Sequence, residues 1–187
     1  MPREYPGDQQ VYNVYWDVSA EKFLNRMQRE HDAFWNFGRK TKAEKLNMTP
    51  VQVMTLASIV DEETANNGEK PMIAGMYYNR LAKDMPLQAD PTIKFAIRDF
   101  SIKRIYHKML MTDSPYNTYK NTGLPPGPIR IPTIAGIDAV LNMDDHDYIY
   151  MCAKEDFSGT HNFAATYEEH KKNARKYSEA LNKRGIR

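Results

Sequence analysis

The sequence predicts an α+β fold, with helices packed on a small, mainly antiparallel sheet, and three observations carry that prediction. Helical periodicity with clear start signals runs through several long segments. Two short β-rich segments late in the chain, residues 147–153 and 160–164, flank a Ser158-Gly159 turn and suggest a hairpin. The chain has 187 residues, 41% hydrophobic and 27% charged, which fits one globular domain able to bury a core.

The elements follow in order. After a polar, turn-rich lead-in over residues 1–10, residues 11–16 (Val-Tyr-Asn-Val-Tyr-Trp) have the β-branched and aromatic content of a strand. Ser19 caps a predicted helix running to about residue 37, with Phe23, Met27 and Phe34 on one side. Thr49 gives a stronger start, because Pro50 at the first helical position and Gln52 three residues after Thr49 make a capping box. Asn66-Asn-Gly68 closes that helix. Another spans residues 71–83, with Ile73, Met76, Tyr77, Arg80 and Leu81 at helical spacing.

Residues 84–91 read as a loop with an extended stretch, and residues 99–111 as partly helical. Residues 112–132 are dense in turn formers, with Pro115, Gly123, Pro125, Pro126, Gly127, Pro128 and Pro132. A loop this long and stiff inside a compact domain usually has a function. Thr133 caps a short helix to about residue 141, and a charged amphipathic helix over residues 167–181 closes the chain after the hairpin.

Composition excludes some classes. The net charge is +2, from 26 basic and 24 acidic residues scattered along the chain, so no field that gathers nucleic acid is expected. No apolar stretch is long enough to cross a bilayer. The single cysteine, Cys152, lies in an apolar run and reads as a buried structural thiol. The five histidines fall into no metal-ligand spacing, and there is no phosphate-binding glycine loop or nucleophile elbow, so neither metal nor cofactor is expected.

Glu63 is the residue that invites chemistry. It joins the apolar stripe of Val53, Leu56, Ile59 and Val60, seven places after Leu56 and three after Val60. Desolvation on that side raises a carboxyl pKa, as a general acid requires. Its neighbours Asp61 and Glu62 point elsewhere and should be mainly solvated. The local pattern leaves two readings of Glu63 open: a catalytic acid, or a helix-end acid paired with a base such as Arg80.

Two further groups attract attention. Residues 116–128 (Tyr-Asn-Thr-Tyr-Lys-Asn-Thr-Gly-Leu-Pro-Pro-Gly-Pro) gather rings, amides and hydroxyls in a stiff loop, suited to a preorganised binding site or to a self-capped surface turn. Gln88 and Asp90 could add an amide and a carboxylate, although Asp90 before Pro91 reads locally as a turn residue. His161 sits on a predicted strand, where a structural role is the commoner one.

Five segments occur in one order: residues 56–64 (Leu-Ala-Ser-Ile-Val-Asp-Glu-Glu-Thr), 73–81, 85–92 (Met-Pro-Leu-Gln-Ala-Asp-Pro-Thr), the loop from Tyr116 to Pro128, and Gly159-Thr-His-Asn-Phe163. In that order they resemble the catalytic domain of the YceG-like (MltG) endolytic murein transglycosylases, from about Tyr12 to the last helix. The family pattern around the acid reads Ile-Val-Glu-Lys-Glu-Thr. Asp61 and Glu62 depart from it, and Glu63 matches its second Glu.

The resemblance implies residues 11–187 as a single catalytic domain, with the family's N-terminal membrane anchor and small preceding domain missing. It implies a peptidoglycan glycan strand as substrate, cut non-hydrolytically at the MurNAc-β-1,4-GlcNAc bond to leave a 1,6-anhydro end, on the periplasmic side of the inner membrane. Glu63 would act as acid and then base, with Tyr116 assisting. Gln88, Asp90, Asn117, Thr118, Tyr119 and Asn121 would bind the sugar, and the cell-wall synthesis machinery would be a partner. A hydrolytic muramidase and a non-catalytic peptidoglycan-binding module are the alternatives.

Overall fold

The computed structural model describes residues 12–102 and 104–185. Its elements run α1 (Ala20–Phe34), α2 (Phe37–Lys45), α3 (Pro50–Glu63), α4 (Lys70–Ala82), α5 (Asp90–Ile97), a 3-10 turn (Met109–Met111), α6 (Ile134–Leu141), β1 (Tyr150–Ala153), β2 (His161–Ala164) and α7 (Tyr167–Lys183). The fold is α+β, as expected. The two strands pair antiparallel, Tyr150 opposite Ala164 and Ala153 opposite His161.

Helix α3 forms the centre. Its capping box is formed: Thr49 accepts from the Gln52 N–H, and Gln52 answers the Thr49 N–H. Val53, Leu56, Ala57, Ile59 and Val60 are fully buried against α4 and α6, which supply Ile73, Ala74, Met76, Tyr77, Ile137 and Val140. Each large apolar side chain buried this way contributes roughly 1.5–3 kcal/mol. Helix α7 covers the hairpin.

The structure corrects the sequence reading at several points. Residues 12–16 form no strand; Tyr15 and Trp16 project outward, 85% and 96% exposed, with no neighbouring strand to pair with. Val11 and the lead-in lie outside the described residues. The helix begun at Ser19 stops at Phe34, because Trp35 turns into the core and Asn36 caps a new helix by accepting from the Arg39 N–H. The expected loop over residues 84–91 ends two residues early: Asp90 opens helix α5, with Pro91 in its first turn, where the fixed φ of proline suits a helix.

The proline-rich segment is irregular but firmly held. The Ile129 N–H donates 3.0 Å to the buried Ser58 hydroxyl of α3. Asn117 donates to the carbonyls of Leu110 and Thr112 and accepts from the Tyr119 N–H. Thr118 accepts from the Ala89 N–H and bonds Thr92, while its carbonyl accepts from Gln88. These ties dock residues 112–121 onto the start of α5 and turn Tyr119 toward the space beside Glu63.

Candidate active site

A cavity of about 370 Å³ opens where the ends of α3 and α4, the start of α5, the hairpin and α7 meet. Glu63, Tyr77, Arg80, Gln88, Asp90 and Tyr119 line one part of it, and Tyr150, Cys152, His161, Tyr167 and His170 another. Helix α3 ends at Glu63, and Thr64 is already extended, so the carboxyl leaves the core at the point where the helix stops shielding it.

Glu63 is half-buried and among the described residues has one hydrogen-bond partner, the Tyr77 hydroxyl, which donates to Oε1 at 2.5 Å. Burial pushes its pKa up to about 7. The Tyr77 hydrogen bond opposes that rise, the negative charge of Asp90 adds to it, Lys94 opposes it, and Glu62 adds a little more. Near neutral pH the group therefore exists in both forms, as a residue that gives and then takes a proton must. Tyr77, buried and next to this carboxyl, is held well above the usual phenol range by burial first and by Glu63 second.

Across the cavity Asp90 accepts from the Tyr119 hydroxyl at 2.5 Å, and burial together with that carboxylate raises the Tyr119 pKa. Gln88 has φ 53°, a left-handed backbone that a side chain with Cβ adopts at a cost, and its Oε1 accepts 2.6 Å from Arg80 Nη2. Strain of this kind is often stored where a side chain must be aimed.

Three sequence-selected residues, Gln88, Asp90 and Tyr119, thus share the cavity with Glu63. The other four do not reach it. Asn117 and Thr118 are 0% and 1% exposed and spend their polar groups on the loop's own backbone and on α5. Asn121 is exposed and donates to the carbonyls of Ser114 and Asn117. Tyr116 packs its ring on Phe95, with centroids 4.6 Å apart, and stands outside the cavity wall. The hydroxyl on Glu63 belongs to Tyr77. That residue lay at helical spacing among the apolar positions of α4 and gave no polar signal, and only tertiary packing brings it to the acid.

Other local readings change as well. Arg80 does not pair with Glu63; it donates to the carbonyls of Pro86 and Ile149 and to Gln88. Asp61, expected in solvent, has a side chain only 1% exposed and is ion-paired to Lys70 Nζ at 2.7 Å. Glu62 is exposed and meets Arg130 at 2.7 Å. Cys152 is half-buried in the cavity wall rather than sealed in the core, and desolvation raises its thiol pKa. Among the described residues, no three His, Cys, Asp or Glu side chains gather as metal ligands.

Comparison with known proteins identifies the family. The model of the YceG-like family matches residues 9–176. A Bacillus subtilis protein described as an endolytic murein transglycosylase is 37% identical over 168 residues, which cover 90% of this chain and 46% of the relative. A Streptococcus pneumoniae protein of the same description is 32% identical over 167 residues, covering 87% of this chain and 30% of the relative. The chain therefore spans less than half the length of these curated relatives. The crystal structure of a YceG-like protein from Listeria monocytogenes superposes with a TM-score of 0.71 at 37% identity, over 87% of this chain and 51% of that one. The chain belongs to the YceG-like family.

Proposed function

We propose that this chain is the catalytic portion of an endolytic murein transglycosylase, which cleaves the MurNAc-β-1,4-GlcNAc bond of peptidoglycan strands and leaves 1,6-anhydro-MurNAc ends. The observation that carries the reading is the Glu63 carboxyl, with a pKa raised to about 7 in a cavity of about 370 Å³ and bonded, among the described residues, only to the Tyr77 hydroxyl. The description printed for the relatives supports the same activity.

The mechanism uses Glu63 twice. Protonated Glu63 gives its proton to the glycosidic oxygen as the bond to the muramyl anomeric carbon breaks, and the GlcNAc-terminated fragment leaves as an alcohol. The resulting carboxylate then removes the proton from the muramyl 6-hydroxyl, whose oxygen closes onto the anomeric carbon. The acid is regenerated and no water is consumed. Tyr77 steadies the carboxylate between the two steps, while Asp90 disfavours its charge beforehand. Gln88, Asp90 and Tyr119 orient the sugars. The substrate puts the domain on the periplasmic side of the membrane, carried by a longer protein alongside the cell-wall synthesis machinery; among the described residues no helix is long and apolar enough to cross a membrane.

The test is mass spectrometry of fragments released from isolated peptidoglycan. The chain should yield anhydro ends, one water lighter than hydrolytic products, and Glu63→Gln should cut the rate by about 10²–10⁴-fold without loss of fold. Full activity in Glu63→Gln would remove the acid from the mechanism, and products carrying the extra water would make the enzyme a muramidase.

A further inference from the structure

Arg80 is a buried cation with an unmet requirement. It is 7% exposed, yet among the described residues its hydrogen-bond partners are all neutral: the carbonyls of Pro86 at 3.0 Å and Ile149 at 3.2 Å, and Gln88 Oε1 at 2.6 Å. No Asp or Glu among them lies within ion-pair distance. Buried charges are normally paired, because desolvation without a counter-charge is costly. Three of its five N–H groups are used, which leaves one on each terminal nitrogen, and the residue lines the cavity.

His161 faces the same space with a fixed orientation. Glu69, at the start of α4, accepts both its backbone N–H at 2.6 Å and its Nδ1 at 3.0 Å. With both Glu69 oxygens and Nδ1 engaged, Nε2 is the ring nitrogen left for a ligand. Beside them His170 stacks on Tyr150 with centroids 5.2 Å apart, and Arg80 lies 5.8 Å from the same Tyr150 ring. The Arg80 charge reaches His170 strongly enough to lower its pKa after burial.

We propose that Arg80 and His161 form a carboxylate subsite inside the cavity that holds Glu63. The inference rests on the transglycosylase reading for its ligand. Of the two alternating sugars only the muramyl residue carries a 3-O-lactyl arm, which ends in a free carboxylate on stem-free strands and in a carboxylate-bearing peptide on stem-bearing ones. Arg80 donates its two remaining N–H groups to that anion, and His161, with Nδ1 held on Glu69, presents Nε2 to the same group. The subsite sets register: it identifies the muramyl ring, so that Glu63 meets the bond on the correct side of it.

Binding tests this without turnover. In the Glu63→Gln chain, calorimetric titration with a stem-free GlcNAc–MurNAc tetrasaccharide should give an affinity about tenfold or more above that for chitotetraose, which lacks the lactyl groups. Adding Arg80→Lys, which loses the planar fork, or His161→Asn should bring the two affinities together, and His161→Asn should leave chitotetraose unchanged. Asn keeps an N–H near the Nδ1 position for Glu69 and deletes only the far nitrogen. If Arg80→Lys fails to fold, as melting would reveal, His161→Asn decides.

Equal affinities in the parent chain, or a preference that survives in the folded variants, would overturn the subsite. A stem-bearing tetrasaccharide that binds more tightly than the stem-free one assigns the anion to the peptide; weaker binding assigns it to the lactyl group. A chain that prefers the muramyl sugar but releases no anhydro ends overturns the transglycosylase reading alone. A chain that releases them without any preference overturns the subsite alone.

Discussion

Asp61 and Glu63 stand two residues apart in the last turn of one helix, and their surroundings could hardly differ more. Asp61 is saturated: Oδ1 takes the Lys70 ammonium at 2.7 Å and the Thr133 hydroxyl at 3.1 Å, and Oδ2 takes the Thr133 N–H at 2.6 Å. It lies against Gly136, where any Cβ would collide with the carboxyl, so the start of α6 is shaped around it. Among the described residues Glu63 has only the Tyr77 hydroxyl. Both are desolvated acids. The first has both oxygens answered, one of them by a cation, and ties α3, α4 and α6 together; the second has no cation within ion-pair distance among the described residues and keeps a proton within reach of neutral pH. Partner count, rather than burial, separates the structural acid from the one proposed to react.

The contrast can be broken first at Asp61. Asp61→Ala strands the buried Lys70 charge and the Thr133 donors, and should destabilise the fold by about 3–5 kcal/mol, measured by denaturant unfolding. A loss under 1 kcal/mol would mean that the pair is not holding the helices together.

Glu63 should behave in the opposite way. Its folded-state pKa of about 7 lies above the ordinary value of 4.5, so the folded chain binds its proton more tightly than the unfolded chain does. This group's contribution is therefore full below pH 4.5 and lost as pH rises toward 7. Glu63→Gln removes that dependence, and the variant should gain on the parent across the interval by no more than about 3 kcal/mol. Parallel stability curves for the two chains would contradict the raised pKa.

Tyr77→Phe is the gentlest probe. Deleting the hydroxyl removes the one interaction with Glu63 that favours the carboxylate most, so the Glu63 pKa should climb further. The alkaline limb of kcat/KM, where the free enzyme loses the Glu63 proton, should move up by about one pH unit, with the melting temperature little changed. An unmoved limb would detach Tyr77 from the chemistry.

Much of this arrangement was readable in advance wherever the physics is local. The capping box at Thr49 set the phase of α3, and that phase aimed Glu63 along the apolar stripe. The caps at Ser19 and Thr133 and the hairpin around Gly159 were equally legible, because a cap or turn involves residues three or four apart. Errors came where a distant neighbour decided. Trp35 entered the core and split the first helix, and no strand came to pair with residues 12–16. Asn117 and Thr118 looked like ligand groups until α5 packed against their loop and consumed their hydrogen bonds.

The sequence by itself determined the class of fold and the family and singled out Glu63 as the candidate acid, since these depend on periodicity and on motifs in order. Only the tertiary structure decided which hydroxyl meets that acid, that its neighbours Asp61 and Glu62 are tied into ion pairs, and that Arg80 and His161 share its cavity. Those outcomes depend on desolvation and on partners 9 to 92 residues away in the chain, which no local pattern records.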